Sequence, residues 1–316
     1  MNAQLTKLIY TLNKIPEDKL EGFLDSISSL IEFEFNGSVS QEENLDPLLK
    51  MVNRSNLVRK VIGDYSRLIL VETEHGFLAV DPEDCVVGYQ LRFKGTYGRH
   101  ELRLIKTFIN ENSNVLIVGA HIGSLAVPVS RVAASTMAIE ANPKTFEILE
   151  FNLILNDIKN CRAINIAAND KYEEIDFFLN RVNSGGSKRK PVLNNNMYDY
   201  DDPEVIKVTA APLDDIVEDK EYDVVLMDLE GSEYFAFKGM KKILTNSKVL
   251  IVEFIPHHLK NVSNINVEDF LQPLLDFDTL FIPSLNTNVN KEGFSNALNK
   301  MYEGNLSDDG LVFQKY

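Results

Sequence analysis

From residue 114 onward, short apolar runs alternate with stretches of helical period, and several of the runs stop at a glycine or an acid. Val115–Val118 leads into Gly119-Ala120-His121-Ile122-Gly123, Thr136–Ile139 stops at Glu140, Tyr222–Met227 stops at Asp228, and Lys248–Glu253 ends on its own acid. Runs that are apolar throughout are strands buried on both faces, and helices between them are what a parallel sheet requires. The pattern predicts an α/β fold, a doubly wound Rossmann-like sheet whose ligand lies beyond the carboxyl ends of the strands. Helices are expected over Ser124–Ala133, Pro143–Leu155 (with Phe146, Leu149 and Leu153 facing inward), Gly231–Leu244 and Val267–Leu275. Further strands are expected over Cys161–Ile166, Glu174–Leu179 and Val205–Ala210, with Leu280–Ile282 and Leu311–Gln314 as an antiparallel pair appended to the sheet.

Upstream, Arg67–Glu72 and Gly76–Val80 flank Thr73-Glu74-His75 as a hairpin. Asp81-Pro82-Glu83-Asp84 reads as a turn, and Arg99–Asn110 as a helix with Leu102, Ile105 and Phe108 on one face. Residues 1–35 read as helical: Pro16 and the acids Glu17 and Asp18 mark a start, and Leu20, Phe23, Leu24, Ile27, Leu30 and Ile31 recur at three and four. Residues 36–46 are polar and turn-rich, a linker, and a second helix covers Leu45 to Ile62 before Gly63-Asp64 ends it. The expected organisation is an N-terminal helical extension, residues 1–65, and a main domain, residues 66–316. The extension either packs on the main body or forms a homodimer or partner surface.

Charge narrows the function classes. Lys plus Arg is 32 against 47 for Asp plus Glu, a formal charge of -15. Phosphate contacts need a basic surface, so no nucleic-acid partner is expected. No run approaches the roughly 18 apolar residues of a membrane span, and Met1 to Lys14 lacks a secretory pattern. Cys85 and Cys161 cannot make a disulfide framework, and no His/Cys cluster has zinc spacing. A reduced, cytoplasmic setting follows as the expectation.

Gly119 and Gly123 let the backbone pass close to a ligand at a helix N-terminus. Glu140, seventeen residues past Gly123 at the tip of the next strand, suits both ribose hydroxyls as a bidentate acceptor. The dinucleotide pattern G-x-G-x-x-G is missing, and His121 lies between the glycines, which favours a nucleoside without a pyrophosphate. Asp228-Leu229-Glu230-Gly231-Ser232-Glu233 aims carboxylates into the same crevice, although Glu233 also suits a helix's first turn. His257 and His258 follow the next strand and face that crevice, where an unperturbed histidine acts as a base near neutral pH. No metal set is assigned, though acids at strand ends could hold a divalent ion. Asn183-Ser184-Gly185-Gly186-Ser187 and Lys188-Arg189-Lys190 form a polar loop that is either solvated or set to meet an anionic acceptor.

Several ordered segments carry a family resemblance. They are Phe77 to Asp84, Gly95-Thr96-Tyr97-Gly98-Arg99-His100-Glu101, Val115 to Gly123, and Ile139-Glu140-Ala141-Asn142-Pro143 with Phe146, Leu149 and Asn152. The most specific is Asp228 to Glu233, followed by Val252-Glu253. From Arg67 to its end the chain resembles the FkbM family of S-adenosylmethionine-dependent methyltransferases. The resemblance implies a class I methyltransferase sheet, S-adenosylmethionine as cofactor, and O-methylation of a small-molecule, sugar, glycan or natural-product hydroxyl. It implies that Gly119, Ala120 and Gly123, with His121, meet the methionine part, and that Glu140, Ala141 and Asn142 meet the ribose and its edge. By the same resemblance Asn169 and Asp170 approach the adenine, and Tyr97, Glu101 and Asp228 close the site. Asp228, Glu230 and His257 are the catalytic candidates. Two positions depart from the family pattern: Ile117 stands where it has Asp, and His121 where it has Asn. Ile117 favours the alternative of a catalytically inactive binding or scaffold protein on the same fold. The missing G-x-G-x-x-G pattern counts against a nucleotide-dependent oxidoreductase.

Overall fold

The computed structural model describes residues 47–193, 195–218 and 221–316. The helices expected over 1–35 and the linker over 36–46 lie outside the described residues. The chain divides into two units, Met1–Arg67 and Leu68–Tyr316.

In the first unit a helix, α1, spans Pro47–Ile62 and carries Arg59 and Lys60 in its last turn, where a cation meets the negative end of the helix dipole. Gly63 adopts a φ of 83°, its amide donates to the Arg59 carbonyl, and the Arg59 guanidinium donates back to the carbonyls of Gly63 and Ser66. This left-handed step is what a glycine after a helix provides.

The second unit opens with an antiparallel hairpin, β1 (Ile69–Thr73) and β2 (Gly76–Val80). Two short helices follow, α2 (Val87–Lys94), which the sequence reading did not include, and α3 (Arg99–Ile105). The alternating region then supplies β3 (Asn114–Val118), α4 (Ala126–Ser130), β4 (Ser135–Glu140), α5 (Pro143–Leu155) and β5 (Cys161–Asn165). Beyond these come β6 (Ala167–Ala168), β7 (Glu173–Leu179), β8 (Lys188–Arg189), β9 (Glu204–Ala211) and β10 (Val224–Met227). The chain continues through α6 (Glu233–Lys238), α7 (Lys241–Asn246), β11 (Val249–Phe254), α8 (Val267–Leu271), β12 (Thr279–Ile282), β13 (Thr287–Asn290), α9 (Phe294–Glu303) and β14 (Asp308–Gln314).

The central sheet has eight strands in the order β13-β12-β14-β11-β10-β3-β4-β5. The pairs β11–β10, β10–β3, β3–β4 and β4–β5 are parallel, and β14 runs antiparallel between β11 and β12. The order runs outward in both directions from β3 and β10, so the switch point, where doubly wound sheets hold their ligands, lies at the tips of those two strands. This is the expected α/β doubly wound class. Both sheet faces are covered, one by a cluster including Phe237, Phe254 and Phe270, the other by one including Leu78, Ile105 and Leu149.

Several elements depart from expectation. β7 and β9 do not join the central sheet; they pair antiparallel, with β6 and β8, in a separate four-stranded sheet. β9 alternates exposed and buried side chains, the mark of a strand covered on one face. The helix expected over Gly231–Leu244 is broken into α6 and α7 at Gly239, where a Cβ would lie 1.8 Å from the Asn169 carbonyl oxygen. The helix expected to reach Leu275 tightens into a 3-10 turn at Gln272–Leu274, around Pro273.

Candidate active site

The glycine turn is built by close backbone approach. Gly119 has a φ of 90°, and a Cβ there would lie 1.8 Å from the Asp228 carbonyl oxygen, so β3 and β10 can lie side by side at their tips only with glycine at this position. The amides of Gly119 and Ala120 both donate to the Ile139 carbonyl. Gly123 is required by its backbone, at a φ of 87° that side-chain-bearing residues rarely adopt, and a Cβ there would also press on Leu149 Cδ1 at 2.8 Å. Buried Asn152 on α5 fixes the turn from behind: its Nδ2 donates to the carbonyls of Ile122 (2.8 Å) and Ala79 (3.0 Å), and its Oδ1 accepts from the Ala79 amide.

Glu140 ends β4 with its carboxylate largely committed. Oε1 accepts from the Asn142 amide (2.8 Å) and the Thr145 hydroxyl (2.9 Å), and Oε2 accepts from the His121 amide (2.7 Å). Two carboxylate oxygens offer about four acceptor positions, so one remains, on Oε2. The expected bidentate grip on two hydroxyls narrows to one hydroxyl. Asn142 caps α5 by accepting from the Lys144 amide at 2.9 Å.

A cavity of about 320 Å³ lies over the strand tips. That size falls in the range of small-molecule sites. Toward β4, β5 and the second sheet its wall is apolar, with Ile139, Ile166, Ala167, Ala168, Ile175 and Phe177. Toward β10, β11 and β14 it is acidic, with Asp228, Glu230, Glu253 and Asp309, joined by Tyr97 and Glu101. Gly119, Ala120, His121, Glu140 and Ala141 line the stretch between, and Ile117 forms part of the wall.

Five expected site residues are not brought to the cavity wall: Gly123, Asn142, Asn169, Asp170 and His257. The first two serve the turn and the cap just described. The chain leaves the central sheet after Asn165 and enters the second sheet, which turns the next polar pair away. Asn169 accepts from Arg189 Nη2 at 2.6 Å and donates to the Lys171 carbonyl, while Asp170 pairs with Lys238 at 3.0 Å. His257 Nδ1 lies 3.0 Å from the Tyr198 hydroxyl.

The basic loop is not simply solvated. Lys188 is 5% exposed, with Nζ 2.7 Å from Glu230 Oε2 and 3.2 Å from His258 Nε2. Arg189 reaches the cavity wall with its guanidinium 4.1 Å from the Phe235 ring centroid, and only Lys190 is exposed. With Lys188 committed to Glu230, the loop loses its best claim to an anionic acceptor.

Burial first, and charge crowding after it, set the acidic side. Asp228 opens into the cavity yet is deep in the protein; burial raises its pKa well above the usual carboxylate range, and Glu230 and Glu233 push it further. Glu253 is raised for the same reasons, burial first and then Asp228 and Glu230. Glu233 is pushed up to about 7 by burial, although its carboxylate accepts from the amides of Leu229 (2.8 Å) and Gly231 (3.3 Å) and so holds the loop after β10. Burial, helped by Asp228 and Glu101, raises the Tyr97 hydroxyl and keeps it protonated. Burial pulls His258 down to about 2, leaving a neutral ring.

Two features were missed by the sequence reading. His121 Nε2 lies 2.7 Å from Ser184 Oγ, which itself donates to Asp84 Oδ2, tying the glycine turn to the β7–β8 loop. Because the serine proton goes to Asp84, the imidazole donates from Nε2. Asp309 reaches the cavity because β14 is antiparallel: its first residues lie where the parallel strands have their last. The polar run Ser307-Asp308-Asp309-Gly310 ahead of an apolar strand was its only sequence signal.

A family model described as the methyltransferase FkbM domain matches residues 118–278. Among solved structures, an FkbM methyltransferase from Methylobacillus flagellatus is 13% identical, with 94% of this chain and 60% of that one covered and a TM-score of 0.38. TYW2 from M. jannaschii, solved in complex with AdoMet, is 15% identical, with 61% and 64% covered and a TM-score of 0.35. Trm5b from Pyrococcus abyssi is 13% identical, with 67% and 47% covered and a TM-score of 0.36, so the chain spans about half the length of that protein. No curated protein matches the sequence. Among the described residues, no helix is long and apolar enough to cross a membrane.

Proposed function

The chain belongs to the FkbM methyltransferase family, and on that premise we propose that it is an S-adenosylmethionine-dependent O-methyltransferase acting on a sugar, glycan or natural-product hydroxyl. The observation that carries the proposal is the two-sided cavity at the switch point, apolar toward β5 and acidic toward β11. A flat base suits the first side and a positively charged sulfur suits the second. The donor set fits: Glu140 Oε2 has one acceptor position left for a ribose hydroxyl, and Asp228 accepts no hydrogen bond from any described residue.

In this reading Ile139, Ile166, Ala167 and Phe177 hold the adenine, and the Gly119–Ala120 backbone passes the methionine part. Ile117 replaces the family's acid, and Asp228 and Asp309 supply negative charge from the ends of β10 and β14. When bound, S-adenosylmethionine would supply a methyl group on a positively charged sulfur for transfer to the acceptor oxygen, with a neutral thioether as the leaving group. Asp228 takes the proton that this oxygen releases. Its crowded carboxyl, open to the cavity but shielded from bulk water, is a stronger base than a solvated one, and placement supplies much of the remaining rate. The His121–Ser184–Asp84 link holds the β7–β8 loop at the rim. Residues 1–65 form the extension that dimerises or docks on a partner; deleting 1–40 without change in solution mass or activity would remove that part.

Calorimetry with S-adenosylhomocysteine tests the core of the proposal. Micromolar binding is expected. A folded protein that does not bind would mean that the fold has been kept for another purpose.

A further inference from the structure

Three facts at the tips of β10 and β11 stand outside the chemistry just given. Asp228, Glu230 and Glu253 bring one carboxylate oxygen each to within 4.8 Å of one another. Among the described residues, neither Asp228 nor Glu253 accepts a hydrogen bond, although Glu253 is only 7% exposed. His258, which is 4% exposed, stands against the cluster with Nε2 3.5 Å from Glu230 and Nδ1 3.6 Å from Glu253, and Nδ1 has no hydrogen-bond partner.

The tautomer follows from Lys188. Its ammonium donates to His258 Nε2, so the ring proton sits on Nδ1 and is aimed at Glu253. A neutral imidazole orients a carboxylate without neutralising it. Lys188 is the one cation in contact with the cluster among the described residues, and it is bonded to Glu230. Three carboxyl groups against one ammonium crowd like charge in a recess, an arrangement that a second cation would relieve. Clustered carboxylate oxygens, with an N–H behind one of them, make the donor set of a hard divalent cation.

We propose that Asp228, Glu230 and Glu253 bind a divalent cation of the Mg²⁺ or Mn²⁺ type, with His258 orienting Glu253. Its use in catalysis rests on the methyltransferase reading; the binding itself does not. A cation at this place holds the acceptor oxygen and lowers the pKa of its hydroxyl. Two adjacent hydroxyls fill two coordination positions, so the acceptor class narrows to polyols with neighbouring oxygens.

The full-length protein is titrated with Mn²⁺, free ion being read by electron paramagnetic resonance, and in parallel with S-adenosylhomocysteine by calorimetry. One Mn²⁺ per chain is expected, with a dissociation constant below about 1 mM. Glu253→Gln should weaken it by about tenfold or more while S-adenosylhomocysteine still binds. Glu230→Gln serves if the first variant does not fold. S-adenosylhomocysteine binding without Mn²⁺ binding overturns the cation site and leaves the acids to the cofactor's own charge. Mn²⁺ binding that neither variant weakens places the ion elsewhere and also overturns it. Mn²⁺ binding weakened by the variants, without any S-adenosylhomocysteine binding, upholds the site and fells the methyltransferase reading instead.

Discussion

The tips of β4 and of β10–β11 both end in acids, yet the protein treats them in opposite ways. Glu140 accepts two hydrogen bonds from its own turn and one from the glycine turn, and keeps one acceptor position open. Asp228 and Glu253 accept none from the described residues and are crowded by Glu230 and Glu233. A carboxylate supplied with amide donors is mainly a piece of scaffold that a ligand can share. One left without donors beside other acids is unfavourable to the fold, and it is at such sites that function tends to be found. Glu233 shows the contrast within one loop: two amides bind it, and its work is to hold the backbone after β10.

The largest effect should come from the unpartnered side. Asp228→Asn should cut turnover by about 10²–10⁴-fold, the usual worth of a positioned base. S-adenosylhomocysteine affinity should change only a few-fold, and stability should hold or rise, because the change removes a crowded charge. If binding collapses while turnover of bound cofactor survives, the contrast between the two acids is broken. Glu140→Ala should do the reverse. It strips three bonds from a buried turn, so it should cost about 2–4 kcal/mol of stability and abolish S-adenosylhomocysteine binding, both readable in one thermal-shift series. Retained binding would sink the ribose assignment.

The same contrast explains what the sequence could and could not disclose. β3, β4 and α5 were legible because their signals are local: unbroken apolar runs for two buried strands, then Asn142-Pro143 as cap and first turn. α9 carries a local signal too, with Phe294, Leu298 and Met301 at helical spacing. The strands β7 and β9 could be read as strands, but a strand does not name its partner, and their separate sheet carries Asn169 and Asp170 away from the cavity. Gly239 breaks a helix because of a carbonyl seventy residues away in sequence, a fact of packing alone. In the site, residue type and strand-end position identified Glu140 and Asp228 equally. Only the hydrogen bonds separate the satisfied acid from the unsatisfied one. Lys188 is decided in the same way: a lysine between Ser187 and Arg189 reads as solvated or as an anion contact until Glu230 comes within reach.

A smaller effect should follow at the rim. Ser184→Ala removes the hydroxyl between His121 and Asp84 and leaves both side chains in place. It should cost about 1 kcal/mol of stability and raise the S-adenosylhomocysteine dissociation constant by a few-fold, through loosening of the β7–β8 loop. Deuterium exchange over Asn183–Ser187 checks it; an unchanged loop would mean that the link is decorative.

The smallest effect tests the principle on the surface, where an acid has every partner it needs. Glu74 accepts from Arg99 and from the Thr96 hydroxyl, bonds that draw its pKa down to about 2 and anchor the segment carrying Tyr97 and Glu101 to the cavity. The folded pKa is depressed, so the unfolded chain binds the proton more tightly. Stabilisation is therefore complete above the ordinary value of 4.5 and is lost as pH falls toward 2. Exposure and salt keep it small, so Glu74→Gln should lower the melting temperature by only about 1–3 °C at pH 7. The gap between wild type and variant should stay level from pH 7 to about pH 5 and narrow below that. A gap that widens in acid would mean that Glu74 is itself crowded, like Asp228, and that hydrogen-bond supply does not sort the acids of this protein.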